Sequence, residues 1–247
     1  MNKRDYELVE EMFNKYYENY KDLSSNIILK YRHSFNVANY MYDLADRLDM
    51  SDEDKYLAKT IGLLHDLGRF EQLKRFNSFD DKYLDHAEYA VDYLFNQNHI
   101  RDFVRVDTYD SIIKEAIANH SRYAICDGLN ERELHFAEMI RDMDKLDIYF
   151  QVATKFSSKF LDKPTNIVVD TFFNGECVKN EDKKNKSDSV LIEFALLNDI
   201  NFEETYEMLR ETDNFGLYAS SVEVSEENEE LFNKMIERGY NIINRVI

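Results

Sequence analysis

Proline occurs once in this 247-residue chain, beside six glycines and two cysteines. Average usage is about 5% proline and about 7% glycine, and sandwiches or barrels use both at nearly every turn. Their scarcity excludes those architectures and leaves an all-α chain of helices joined by short polar loops. Cys126 and Cys177 cannot make a disulfide scaffold, and their separation is not that of a zinc site. No apolar run exceeds four residues, so no membrane span is expected, and the opening Met1-Asn2-Lys3-Arg4-Asp5-Tyr6-Glu7 lacks the apolar stretch of a secretory signal. A cytoplasmic protein is the expectation. Excess positive charge is missing too, with 31 Lys+Arg against 49 Asp+Glu and a net charge of −18. That balance argues against duplex nucleic acid as a partner, because neutralising phosphates takes a basic surface. It leaves room for one small anionic substrate held by a few local cations.

Apolar residues at 44% and aromatics at 14% suffice for a sizeable core in a chain of this length. Residues 5 to 20 place Tyr6, Val9, Met12, Phe13, Tyr16, Tyr17 and Tyr20 at helical spacing. A second helix over 26 to 49 carries Val37, Met41, Leu44 and Leu48. Ser51 followed by Asp52, Glu53 and Asp54 reads as an N-cap with acids in the first turn, opening a helix that runs through Leu57, Ala58, Ile61 and Leu64 and stops near Gly68. Arg69 to Asp81 reads as a polar, aromatic loop. Further helices are expected at 83 to 97, 109 to 120 and 131 to 160, the last ending before Pro164. Ile167-Val168-Val169 fits a helix or a short strand, and residues 174 to 189 read as a loop. Two helices over 189 to 212 and one from Ser225 complete the pattern.

The six histidines carry the most information. His120 continues the apolar face of Ile112, Ile113, Ala116 and Ile117; His65 follows Leu57, Ala58 and Ile61; His33 precedes Val37, Tyr40, Met41 and Leu44; His86 precedes Ala90, Tyr93 and Leu94. Four imidazoles therefore point inward from four helices, whereas His99 and His135 have polar neighbours and read as solvent-facing. A single inward histidine is usually a satisfied core residue. Four unconnected ones would each cost about 1–3 kcal/mol, a large share of a stability of about 5–15 kcal/mol. A shared metal centre satisfies them together, because neutral imidazole is the commonest nitrogen ligand. Asp66 beside His65 adds a carboxylate at the same point. Of three acids in the long helix, Asp144 shares its face with Ala137, Ile140 and Ile148, while Asp142 and Asp147 read as outer or surface groups.

The order His33, His65-Asp66, Asp144, set in Arg32-His33-Ser34, Leu63-Leu64-His65-Asp66-Leu67-Gly68-Arg69 and Arg141-Asp142-Met143-Asp144-Lys145-Leu146-Asp147, resembles the HD-domain superfamily of metal-dependent phosphohydrolases over about residues 26 to 150. The resemblance implies an all-α HD-domain bundle; the helical pattern and Pro164 place it within 1–163, followed by a helical extension over 164–247 packing on the same domain. It also implies a divalent metal site, and His86 and His120 stand where a two-metal branch carries extra histidines. Asp66 would then bridge, with His33, His65 and Asp144 on one ion and His86 and His120 on the other. His-Asp-x-Gly-basic is similar to HD-GYP phosphodiesterases, with Arg69 in place of their usual lysine. The Gly-Tyr-Pro motif is missing, as is the glutamate-aspartate pair of alarmone hydrolases.

Nitrogen and oxygen donors without thiolate favour Mn, Fe, Co, Ni or Mg over structural zinc, as one or two ions. The expected activity is phosphohydrolysis or phosphodiester hydrolysis of a small phosphorylated compound, a nucleotide among the candidates, by metal-activated hydroxide. Asp66 and Arg69 are the catalytic candidates. Arg69 is suited to a phosphate clamp, since guanidinium meets phosphate bidentately, and is equally readable as a cation capping a helix C-terminus. Lys74 and Arg75 are solvated loop charges or part of an anion funnel. Lys145 is read as an ion-pair partner of Asp144. Arg122 is set aside as a substrate contact. Two other readings keep the ligands: an HD-fold di-iron oxygenase, and a non-catalytic metal or nucleotide sensor whose C-terminal helices contact a partner. Oligomeric state is not legible.

Overall fold

The structure is a computed structural model in which residues 1–245 are described. The chain separates into two compact units, Met1–Asp144 and the part from Lys145 onward. The described residues are overwhelmingly helical, as the scarcity of proline and glycine requires.

In the first unit, α1 (Lys3–Tyr17) opens with a capping box formed by Asn2 and Asp5 and buries Tyr6, Val9, Phe13 and Tyr16. Helix α2 (Ser25–Arg47), capped by Ser24, buries His33, Val37, Ala38, Met41 and Leu44 along one stripe. Ser51 caps α3 (Asp52–Leu64), whose first turn carries three acids that complement the helix dipole. Helices α2 and α3 pack closely at Gly62, where an added Cβ would stand 2.8 Å from Ala38 Cα.

Residues 69 to 81, expected as a loop, are helical as far as Phe76: α4 spans Leu67–Phe76. The charges at Arg69, Glu71, Lys74 and Arg75 hide a buried face of Leu67, Phe70 and Leu73 at three-residue spacing. Phe70 is packed by Phe13, Tyr16, Tyr17 and Tyr20, so tertiary burial overrides a polar local pattern. The turn comes at Asn77, which takes the left-handed conformation at φ 46°. Asp85 caps α5 (His86–Val91), which continues as a π-helical stretch over Asp92–Asn96. Short α6 (Ile100–Phe103), α7 (Asp110–Asn119) and long α8 (Glu131–Lys155) follow.

The boundary between units falls inside α8, ahead of the 163/164 division read from Pro164. Proline marks where a helix cannot continue, not where a core ends. Beyond Asp144 the helix carries on unbroken, but Tyr149 packs with Phe215 and Tyr218, and Lys145 donates to the side chain and carbonyl of Asp199. That contact corrects the reading of Lys145 as the partner of Asp144.

In the second unit, α9 (Asn166–Phe173) settles Ile167-Val168-Val169 as helical. Helix α10 (Lys186–Ala195) begins inside the expected loop, at a capping box of Asn185 and Asp188. It is followed by α11 (Glu203–Thr212), α12 (Asn214–Ser221) and α13 (Glu229–Ile243). The short α12 is not in the periodicity reading, because Asp213 at φ 45° both ends α11 and caps α12, with no glycine or proline to mark the break. Two-residue strands, β1 (Lys159–Phe160) and β2 (Glu223–Val224), pair in parallel. Phe194 centres the aromatic core, with Phe215 at 4.9 Å and Phe232 at 5.7 Å between ring centroids.

Candidate metal centre

Helix ends build this site. Helix α3 stops at His65, and Asp66 bends the chain at φ −103°, ψ 19° before α4 starts. An aspartate at an N-cap ordinarily accepts from the next turn's N–H groups; the Asp66 side chain makes no such bond. Its oxygens face the imidazoles instead. Oδ2 lies 3.4 Å from His33 Nε2 and 3.5 Å from His65 Nε2; Oδ1 lies 3.3 Å from His86 Nε2 and 3.6 Å from His120 Nε2. Asp144 Oδ1 stands 3.0 Å from His33 Nε2 and 3.7 Å from His65 Nε2. The four histidines and Asp66 are buried. All six residues singled out in the sequence as inward ligands thus meet, in three overlapping groups whose donor atoms lie within 4.8 Å of one another: His33, His65 and Asp66; His65, His120 and Asp144; Asp66, His86 and His120.

Outer contacts decide which nitrogen carries the proton. His65 and His120 sit at the C-caps of α3 and α7, and each ring Nδ1 lies 2.7 Å from the carbonyl three residues back, Gly62 O and Ile117 O. A carbonyl only accepts, so Nδ1 carries the proton in both rings and serves a helix end that lacks N–H partners. His86 Nδ1 lies 2.8 Å from Asp81 Oδ1, and an ionised carboxylate also only accepts. Each Nε2 therefore presents a bare lone pair to the centre. His86 Nε2 and His120 Nε2 stand 2.9 Å apart, lone pair against lone pair, and His65 Nε2 is buried without a hydrogen bond. Such an arrangement is repulsive and unsatisfied unless an electrophile receives it. A divalent cation is the group these donors fit.

The charges agree with that fit. Burial pushes the Asp66 carboxyl upward, but the Lys30 ammonium and the His65, His120 and His33 rings outweigh it and hold the group well below the usual carboxylate range. Asp144 is likewise depressed, against burial, by His33 and His65. Burial lowers His65. Burial and the Arg69 guanidinium bring His86 down to about 4, against the pull of Asp81 and Asp66. Near neutral pH the centre thus combines the ionised Asp66 and Asp144 with neutral His65 and His86 rings, the protonation states that ligate metals.

Three residues beside the centre escape sequence reading. Lys30 Nζ lies 2.7 Å from Asp66 Oδ2; its spacing of three from His33 on α2 was the available signal. Asp81 Oδ1 receives Arg69 Nη1 at 2.8 Å, Gln72 Nε2 at 3.0 Å and His86 Nδ1. Gln72 also donates to Leu84 O at 2.7 Å. No spacing rule links Asp81 to a ring five residues on across a turn. Arg69 lies in the first turn of α4, so it is not a cation at a helix C-terminus; its Nη1 also donates to Gln72 Oε1 and Phe79 O, and its Nε stands 3.8 Å from Asp66 Oδ1. Both Lys30 and Arg69 approach the Phe79 ring, at 5.9 and 6.0 Å.

The remaining residues lie outside the cluster. Arg75 and Lys74 pair with Glu71. Arg122 is exposed, and its carbonyl, with Asn119 O, accepts from buried Arg141, which braces the turn carrying His120. Asp142 and Asp147 are fully buried, which removes them from the surface; Asp147 accepts from Gln151. His99 is partly exposed, stacked 4.2 Å from Tyr93, whereas His135, expected in solvent, is half-buried beside Phe136.

Compared with family models, the chain matches the HD domain over residues 31–157. It belongs to the HD-domain family. All six clustered residues fall within the HD-domain match, which starts one residue after Lys30, and the residues beyond 157 lie outside it. Comparisons with curated proteins and with solved structures give no match. No helix among the described residues is long and apolar enough to cross a membrane.

Proposed function

We propose that this HD-domain protein is a metal-dependent phosphohydrolase or phosphodiesterase acting on a small phosphorylated compound, a nucleotide among the candidates. The observation that carries the reading is the convergence of unprotonated imidazole nitrogens on ionised Asp66, a donor set that suits divalent cations. His33, His65, Asp144 and Asp66 Oδ2 would hold one ion, and Asp66 Oδ1, His86 and His120 a second. A bound divalent ion supplies Lewis acidity toward phosphoryl oxygens and lowers the pKa of its water from 15.7 to about 7. Lys30 and Arg69 flank Asp66 from α2 and α4 and place two cations where a phosphoryl group would carry its negative charge. Arg69 offers the bidentate geometry and Lys30 a movable point charge. The Nδ1 contacts keep the rings from turning, so positioning, which is most of what phosphoryl transfer needs, is built into the helix ends.

The test joins elemental analysis of the purified protein with a panel of phosphomonoesters and phosphodiesters. Phosphate or monoester release by the metal-replete protein is expected. Iron with oxygen consumption and no phosphate release would replace this reading by the oxygenase, and tight nucleotide binding without turnover by the sensor. His65→Ala and Asp66→Ala should both lose metal while far-ultraviolet circular dichroism shows helix content largely retained; unchanged metal content in both would remove the pair from the ligand set.

A further inference from the structure

The loop between α4 and α5 carries one carboxylate that reaches both sides of the site. Asp81 Oδ1 alone accepts from His86 Nδ1, Arg69 Nη1 and Gln72 Nε2, at 2.8, 2.8 and 3.0 Å. His86 is a clustered imidazole; Arg69 is the guanidinium beside Asp66. The ring of His86 is not oriented by its own helix, and the Arg69 guanidinium also meets Gln72 Oε1 on its own helix and Phe79 O in the loop. His86 opens α5, where a ring can swing, and Arg69 is long and flexible. Their common anchor is Asp81, held in turn through Gln72, whose second donor bond to Leu84 O fastens α4 to the far end of the loop. Gly68 lets the two helices come this close, since a Cβ there would fall 2.0 Å from His86 O.

We propose that Asp81 is a positioning residue that sets the orientation of His86 toward metal and of Arg69 toward the substrate's phosphoryl group together. The inference rests on the metal reading above. By accepting the Nδ1 proton, Asp81 fixes the tautomer that leaves His86 Nε2 free to ligate and increases the donor strength of the ring; removal of such outer partners typically weakens metal binding about 10–100-fold. By accepting from Nη1, it leaves the rest of the guanidinium preoriented beside Asp66, which reduces the side-chain entropy lost on binding an anion.

The experiment titrates the full-length apo-protein with Mn2+, then the Mn2+-loaded protein with inorganic phosphate, for wild type, Asp81→Ala, Asp81→Asn, His86→Ala and Asp80→Ala. Asp80 belongs to the same loop, but among the described residues its carboxylate meets only Lys82, so Asp80→Ala reports loop damage alone and should leave both affinities unchanged. His86→Ala should remove one class of bound Mn2+. Asp81→Ala should weaken that same class about 10–100-fold and weaken phosphate binding as well, with Asp81→Asn intermediate because its amide oxygen still accepts. Loss of Mn2+ in His86→Ala with wild-type affinities in Asp81→Ala would overturn the role of Asp81 and leave the metal reading standing. Equal weakening in Asp80→Ala would reduce Asp81 to loop structure and overturn the proposal. Full retention of Mn2+ in His86→Ala would remove His86 from the ligand set and overturn the proposal.

Discussion

A half-buried carboxylic acid shows how one side chain can set the pH range of stability. Glu193 on α10 accepts from Tyr218, and burial pushes its carboxyl up to about 7 from 4.5, against the opposing effects of Tyr218 and Lys183. In the folded chain it keeps a proton that the unfolded chain releases, so its contribution is fully present below about pH 4.5 and is lost as pH rises through 7. Glu193→Gln keeps the acceptor and removes the charge. It should therefore match wild type at pH 4.5 and exceed it at pH 8 by up to about 3 kcal/mol, from about 1.4 kcal/mol per unit, read by urea unfolding at both pH values. Equal stabilities at pH 8 would show that the carboxylate is solvated. At the centre, the same kind of reasoning assigns protons to rings: the carbonyls of Gly62 and Ile117 and the Asp81 carboxylate each fix a tautomer, which spacing in the sequence cannot do.

At the scale of elements, the site is made where helices stop. Two of the clustered histidines are C-caps, one opens a helix, and Asp66 occupies the break between α3 and α4. The close passage of α4 against the start of α5 depends on Gly68. Gly68→Ala should force the two apart, destabilise the protein by about 1–3 kcal/mol, as overpacking generally does, and lower Mn2+ affinity through displacement of His86. Thermal unfolding with Mn2+ titration reads both, and unchanged values would mean that the helices slide at no cost. The helical face of α4 was hidden because a three-residue stripe among four charges is a weak periodic signal; the aromatic cluster around Phe70 supplies the burial that makes it a helix.

For the molecule as a whole, the net charge of −18 draws divalent cations inward and opposes anions. Long-range attraction is screened over about 30 Å at 0.01 M salt and about 8 Å at 0.15 M. The association rate of Mn2+ with the apo-protein should therefore fall several-fold between these concentrations in stopped-flow measurements, whereas a flat rate would show that the field at the site is local. Capture of a phosphorylated substrate, by contrast, has to rely on Lys30 and Arg69 at short range. The division of the chain inside α8 belongs to this scale as well. One continuous helix supplies Asp144 to the first unit and Tyr149 to the second, and composition shows no break at that point.

Read alone, the order of residues determined the helical class, the family, and six inward groups, because apolar stripes at helical spacing place a histidine on the buried face whatever that face meets. It also singled out Asp144, whose carboxylate meets His33 and His65, from Asp142 and Asp147, although those two are the more deeply buried acids. It could not determine which groups stand around the centre. Lys30, Gln72 and Asp81 reach it across turns and between helices, through contacts that exist only when α2, α4 and α5 are packed. Tautomers, the path of α4 and the start of α12 likewise depend on what is buried against what. Periodicity records which face turns inward; only packing decides what each face touches.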